Sequence, residues 1–132
     1  GSIVEKSAPY ISTTAEFGLV EGAGGWRVPL NERETLADFA ACLGYPVIVV
    51  VAMRLGCLNH AMLTIEAVVN DGLRVAGWVA NNPVETIMPH YSDNVATLQN
   101  WIDAPLLGTI AFSVDKSYRH AAEAIQLPDG LG

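Results

Sequence analysis

Pro46-Val47-Ile48-Val49-Val50-Val51-Ala52 is an unbroken apolar run of seven residues, five of them β-branched. A run this short, this branched and apolar on both faces predicts a central strand of a parallel sheet covered by helices. The segments on either side follow the same logic. Downstream, Leu58, Met62, Ile65, Val68 and Val69 fall at helical spacing, and Asn70-Asp71-Gly72 supplies a stop, so a helix is predicted over Leu58–Val69. Leu73–Ala80 reads as the next strand, closed by Asn81-Asn82-Pro83. Ser92 is placed to cap a helix carrying Val95, Leu98 and Ile102 on one side, and a last short strand is predicted over Gly108–Phe112. Upstream, Thr35–Leu43 reads as a helix, and Phe17–Val20 as a buried strand opening into Glu21-Gly22-Ala23-Gly24-Gly25. Ser2–Thr14 reads as a weaker helix interrupted at Pro9.

Strands alternating with helices imply βαβ units with right-handed crossovers, hence an α/β fold with a mostly parallel sheet flanked by helices. The length of 132 residues suits one domain, and no linker or repeat divides it. Apolar residues make up 51% and charged residues 16%, which excludes disorder as the main state. The net charge is −7 and no basic run exists, so nucleic acid is not an expected partner. The longest apolar run is far short of a bilayer span, and no basic-then-apolar leader is seen, so no membrane role and a cytoplasmic location are expected. Cys42 and Cys57 are then expected to be free thiols.

In a parallel sheet, ligands collect beyond the carboxyl ends of the strands. That draws attention to Glu21–Gly25, Met53–Asn59, Asn81-Asn82 and Ala111–Val114, all expected to face one cleft. Glu21, an acid straight after an apolar run and before small residues, resembles the second acidic motif of phosphate-loop nucleotidases, where a carboxylate reaches Mg²⁺; a turn-capping role is the alternative. Asn81 and Asn82 carry amides that pair with a nucleobase, or else are turn residues before Pro83. Arg54 and Asn59 could hold a carboxylate, or Asn59 could simply cap a helix. Cys57 and His60 are too few for a structural zinc site, and nothing beside them orients a catalytic pair. Trp26, Trp78 and Trp101 read as core or interface. The only lysines, Lys6 and Lys116, belong to no G-x-x-x-x-G-K-[ST] loop.

Taken together, Val20-Glu21-Gly22-Ala23-Gly24-Gly25-Trp26, Val28-Pro29-Leu30, Arg54-Leu55-Gly56-Cys57-Leu58-Asn59-His60-Ala61, Ala76-Gly77-Trp78-Val79-Ala80-Asn81 and Ala104-Pro105-Leu106-Leu107-Gly108 resemble the dethiobiotin synthetase family, in its order and spacing. The resemblance runs from Val20 to Gly108 and is poor over the last twenty or so residues. It implies a P-loop-type α/β fold, incomplete at the N-terminal side. It also implies a homodimeric ligase of biotin synthesis that uses ATP and Mg²⁺. The family carbamoylates 7,8-diaminononanoate with CO₂, activates the carbamate with ATP as a mixed anhydride, and closes the ring to dethiobiotin, ADP and phosphate.

The resemblance assigns Mg²⁺ to Glu21, phosphate and substrate contacts to Gly22, Ala23 and Gly24, and adenine to Asn81 with Asn82 beside the nucleotide. It gives the adenosine pocket to Ala111, Phe112 and Ser113. Leu55, Gly56, Cys57 and Asn59 fall to the dimer interface and the carboxylate tail of diaminononanoate. Ala111 stands where the family usually has proline, and an acid expected near Tyr118 is missing. The family's phosphate loop, carbamate-steadying lysine and metal-binding aspartate have no counterpart in these residues. Residues 1–132 are therefore expected to be a single domain equivalent to the C-terminal portion of such an enzyme, without catalytic residues of their own. Inactivity alone, an exposed sheet edge, and self-association or an N-terminal fragment as partner are expected with it. The alternative is a non-catalytic nucleotide-binding or dimerisation module derived from that fold.

Overall fold

The apolar run forms β1 (Val47–Ala52), and a computed structural model shows what surrounds it, describing residues 2–11, 17–115, 118–128 and 131. Before it come α1 (Ile3–Ile11) and α2 (Leu36–Leu43). After it come α3 (Cys57–Asn70), β2 (Val75–Asn81), α4 (Tyr91–Trp101), β3 (Leu106–Ile110) and α5 (Tyr118–Glu123). The three strands pair in parallel in the order β1-β2-β3, so the expected α/β class with a parallel, helix-flanked sheet is the one adopted.

Two crossovers of one hand, stepping the same way along the sheet, set their helices on the same face. α3 and α4 accordingly touch. They close one core over Val49 and Val51 of β1 and Trp78 and Ala80 of β2. Met53, Cys57, Ala61, Val95, Leu98 and Ile102 join that core.

The centre of the sheet is β2, not β1. β2 is paired on both sides and every residue from Ala76 to Ala80 is buried. β1 carries no strand on its outer edge among the described residues, and Val50, pointing away from α3, is 62% exposed. Branched composition marks a strand with one well-covered face; it does not say how many neighbours the strand has. Phe17–Val20 is not a strand either, and it is exposed throughout. An apolar run becomes a strand only where a neighbouring edge takes its N–H and C=O groups.

Smaller differences have equally local causes. α4 starts at Tyr91 from a left-handed His90, which puts Ser92 inside the helix rather than at its cap. β3 ends at Ile110, two residues early, because its partner β2 ends opposite at Asn81. α1 runs through Pro9 and ends two residues later at Ile11, and residues 12–14 of the expected helix lie outside the described residues.

α2 forms as expected. Thr35 caps it with a reciprocal box, its Oγ1 accepting from the Asp38 N–H (3.3 Å) while the Asp38 carboxylate accepts from the Thr35 N–H (2.7 Å). Glu34, one residue earlier, accepts from the Ser2 hydroxyl (2.5 Å), the Ile3 N–H (3.2 Å) and the Asn31 amide (2.5 Å), fastening the start of α1 to the turn before α2.

Beyond β3, Gly108 makes an antiparallel bridge to Ile125, and the Gln126 N–H donates to the Leu107 carbonyl at 2.8 Å. The C-terminal segment thus covers the outer edge of β3. Gly108 is required for this, since a Cβ there would overlap the Ala124 carbonyl. A Cβ on Gly77 would meet the Leu107 side chain at 2.6 Å, so the middle of the sheet also depends on a missing side chain.

Three outcomes follow. Gly108→Ala should release the C-terminal segment, giving faster tryptic cleavage at Arg119 and a loss of about 1–3 kcal/mol in urea unfolding; unchanged cleavage would show that the segment does not need the close approach. Acid should act through α1 and α2. The Ser2, Asn31 and Ile3 donors hold Glu34, and the Thr35 donors hold Asp38, below their ordinary values of 4.5 and 3.8. Because the folded values are the lower ones, their contribution is complete above the ordinary values and lost as pH falls through the folded values. The urea midpoint should be level from pH 7 to about 5 and decline below it, less steeply in Asp38→Asn. Finally, light scattering should show concentration-dependent association that Val50→Lys reduces; a clean monomer at all concentrations would contradict this.

Candidate functional site

At the carboxyl edge of the sheet the three strands are tied by backbone bonds. The Met53 N–H donates to the Asn81 carbonyl at 2.8 Å and the Asn82 N–H to the Ile110 carbonyl at 2.9 Å. Between the ends of β2 and β3 opens a cleft of about 490 Å³, within the range of small-molecule sites. One wall is Asn81, Asn82 and Pro83, another is residues 109–113, and the C-terminal segment supplies Tyr118, His120, Ala121 and Ala124. Two of the four groups expected at the edge are therefore brought together here.

Asn82 is 6% exposed, and its amide is only half satisfied. Nδ2 donates to the Val84 carbonyl at 3.0 Å, while the buried Oδ1 accepts nothing. An orphaned buried acceptor costs about 1–3 kcal/mol. Asn82 therefore brings to the wall of the cleft a side chain whose acceptor is buried and unpaired. Ser113 donates its hydroxyl hydrogen to Asp115.

The third group stands one strand over, at the end of β1. Met53 turns into the core, while Arg54, Leu55 and Gly56 are exposed, Leu55 by 97%. α3 begins from a left-handed Gly56 with no side-chain cap, so Asn59 is not the cap but an exposed residue of the first turn. Cys57 is buried in the core and His60 exposed, so the two diverge, and anything Cys57 offers a ligand comes from its backbone. Both cysteines are free. Among the described residues no group of three or more His, Cys, Asp and Glu could hold a metal.

The fourth group departs from the expectation of a single shared cleft. Glu21, Gly22, Ala23 and Gly24 are exposed and none of them lines it. The loop is fastened instead through Trp26 and Arg27 to Asp71, beyond the far end of α3. A helix of 14 residues carries that anchor roughly 21 Å from the ligand edge.

Of the tryptophans, Trp78 is wholly buried, Trp26 is half-buried on Asp71 and Trp101 is 71% exposed. The displaced titrations lie away from the cleft: hydrogen bonds from Trp26 and then Arg27 lower Asp71, and burial raises Tyr91.

Beyond Pro83 and the strand residues Thr109 and Ile110, the lining residues that sequence reasoning missed are Tyr118, His120, Ala121 and Ala124. The one available signal was Gly108, a glycine within a strand, which marks close approach of another backbone. No helix among the described residues is long and apolar enough to cross a membrane.

A family model described as an AAA domain matches residues 2–115. The chain is 58% identical over 96 residues to "ATP-dependent dethiobiotin synthetase BioD" of Cellvibrio japonicus, covering 73% of this chain and 42% of the relative. It is 48% identical over 123 residues to the protein of that name from Pseudomonas paraeruginosa, covering 92% and 54%. A Pseudomonas aeruginosa protein of the same name is 52% identical over 129 residues, covering 97% and 56%. The chain spans about half the length of the curated relatives it matches. It belongs to the AAA-domain family, with a parallel sheet and carboxyl-edge cleft built from segments that resemble the dethiobiotin synthetases.

Proposed function

We propose that this chain forms the adenine-side and substrate-tail portion of an ATP- and Mg²⁺-dependent ring-closing ligase. That ligase converts 7,8-diaminononanoate, CO₂ and ATP to dethiobiotin, ADP and phosphate, and acts in the cytoplasm as a homodimer. The observation that carries the reading is the cleft between β2 and β3, with the unfilled, buried Asn82 Oδ1 beside Asn81. An adenine edge carries an amino donor next to ring-nitrogen acceptors. The Asn81 amide is proposed to read that edge, and Asn82 Oδ1 to accept one of its hydrogens. Ala111, Phe112 and Ser113 line the adenosine and exclude water from it.

The carboxylate tail of diaminononanoate is assigned to the first turn of α3. The lack of a side-chain cap leaves helix N–H groups to the ligand, and the helix end favours negative charge. The exposed Asn59 amide and Arg54 supplement them, and Leu55 covers the aliphatic chain within a dimer. Gly56 contributes backbone only, and Cys57 shapes the turn, its N–H donating to the Arg54 carbonyl at 2.9 Å.

Mg²⁺ is commonly held by one or two carboxylates, with water and phosphate completing its shell. The single exposed carboxylate of Glu21 suits that role, flanked by Gly22, Ala23 and Gly24, whose N–H groups can face phosphate. When bound, the ion would neutralise phosphate charge. Residues 1–132 contain no G-x-x-x-x-G-K-[ST], so they offer no clamp for the γ-phosphate and no catalytic residue. As the equivalent of the family's C-terminal portion, the chain alone should bind nucleotide without turning it over.

Calorimetric titration tests this directly. The chain should bind Mg-ATP in preference to Mg-GTP, and Asn81→Ala and Asn82→Ala should each weaken ATP about tenfold. Asn59→Asp should weaken diaminononanoate by a similar factor and leave ATP unchanged. Equal affinity for both nucleotides would defeat the adenine assignment and favour a dimerisation module, and phosphate release by the chain alone would defeat its inactivity.

A further inference from the structure

Asp71 occupies a poor place for a carboxylate. It closes α3 as its C-cap, its own N–H donating to the Ala67 carbonyl at 3.0 Å, so its charge stands at the negative end of a 14-residue helix with no basic residue in the last turn. Helix stability alone would favour a neutral or basic residue here.

The carboxylate is instead satisfied from 44 and 45 positions upstream. Trp26 Nε1 donates to Oδ2 at 2.6 Å and Arg27 Nη2 to Oδ1 at 2.9 Å, so both oxygens are used. These donors hold the Asp71 carboxyl below the usual carboxylate range.

The segment thus captured leads straight from Glu21. Gly24 and Gly25 reverse the chain at φ 87° and 115°, a conformation side chains resist, and nothing packs where a Gly25 Cβ would stand. Such a loop has little contact area of its own, so its placement depends on its anchors. One lies at Leu36, whose N–H donates to the Val28 carbonyl at 2.9 Å and whose side chain lies 3.5 Å from a Cβ built on Gly22. The other is Asp71.

We infer that Asp71 is a positioning residue for the Glu21–Gly25 loop: its carboxylate, shared between the Trp26 indole and the Arg27 guanidinium, sets where Glu21 stands. It acts through those two side chains and touches neither nucleotide nor metal. The proposed function enters only in giving Glu21 a ligand; the clamp exists without it.

Backbone ¹⁵N relaxation of the whole chain tests the clamp. Order parameters at residues 22–25 should lie near the rigid value of about 0.85 in the unsubstituted chain and fall below about 0.6 in Asp71→Ala. Asp71→Asn keeps an acceptor for the indole and should recover part of the loss, with the Trp26 indole resonance between the other two. Values across residues 61–68 and 76–80 should not move. Unchanged loop values would overturn the inference, and so would a loss spreading equally into α3 and β2, because Asp71 would then merely hold the helix end. Addition of Mg-ATP keeps the two failures apart: it should shift the resonances of residues 21–25 in the unsubstituted chain and less in Asp71→Ala. If Asp71→Ala frees the loop while Mg-ATP shifts it in neither protein, the clamp stands and the nucleotide role of Glu21 fails.

Discussion

β2 is the strand on which the other elements depend, because among the described strands it alone pairs with a strand on both edges and is buried along its length from Ala76 to Ala80. Trp78 fixes it on the helix side, fully buried beneath α3 and α4. Gly77 fixes it on the other side, where the Leu107 side chain from β3 lies directly against the bare backbone. A large residue and an absent one, adjacent in sequence, therefore set the thickness of the two layers. The Trp78 indole nitrogen has no hydrogen-bond partner, so its large apolar surface outweighs one orphaned donor.

From this arrangement the location of the cleft follows. All three strands run parallel, so the loops leaving the carboxyl ends of β1, β2 and β3 emerge along a single edge. Asn81 pairs with Ile110 at the last rung of the ladder, and Asn82 is held by one further backbone bond. The side chains of Asn81 and Asn82 consequently project from a backbone with no freedom left. The C-terminal segment completes the cleft because Gly108 lets it lie against β3. The same topology leaves β1 with an unpaired outer edge among the described residues, and leaves Val50 open on the uncovered face.

What was legible in the sequence corresponds to local physics. The branched run of β1, the helical spacing of α2 and α3 and the Asn-Asp-Gly stop each contain their own cause within a few residues, and each forms. The errors fall where the cause is distant. Phe17–Val20 has strand composition but no described edge to receive it, and β1 reads as central although the pattern cannot count neighbours. Ser92 is a good cap residue, yet the chain enters α4 through a left-handed His90, so the cap and the helix start lie two residues earlier. At the site, Asn81, Asn82 and residues 111–113 were legible because strand ends predict ligand edges. The walls from α5 were not, because a short Ala-containing helix carries no sign of what it packs against.

The two parts of the candidate site are consequently held by different forces. The cleft is framed by backbone hydrogen bonds between neighbouring strands, which salt does not screen. The Glu21 loop is held by a carboxylate that meets one neutral and one cationic donor, with the Arg27 side chain 57% exposed. In such a place an ion pair is weakened by solvent and by salt. The neutral bond from the Trp26 indole is the part that persists, and the half-buried ring gives it an apolar support that Arg27 lacks. Under the proposed function, adenine recognition would be insensitive to ionic strength, whereas the hold on the Glu21 loop would weaken as salt screens the Arg27–Asp71 pair.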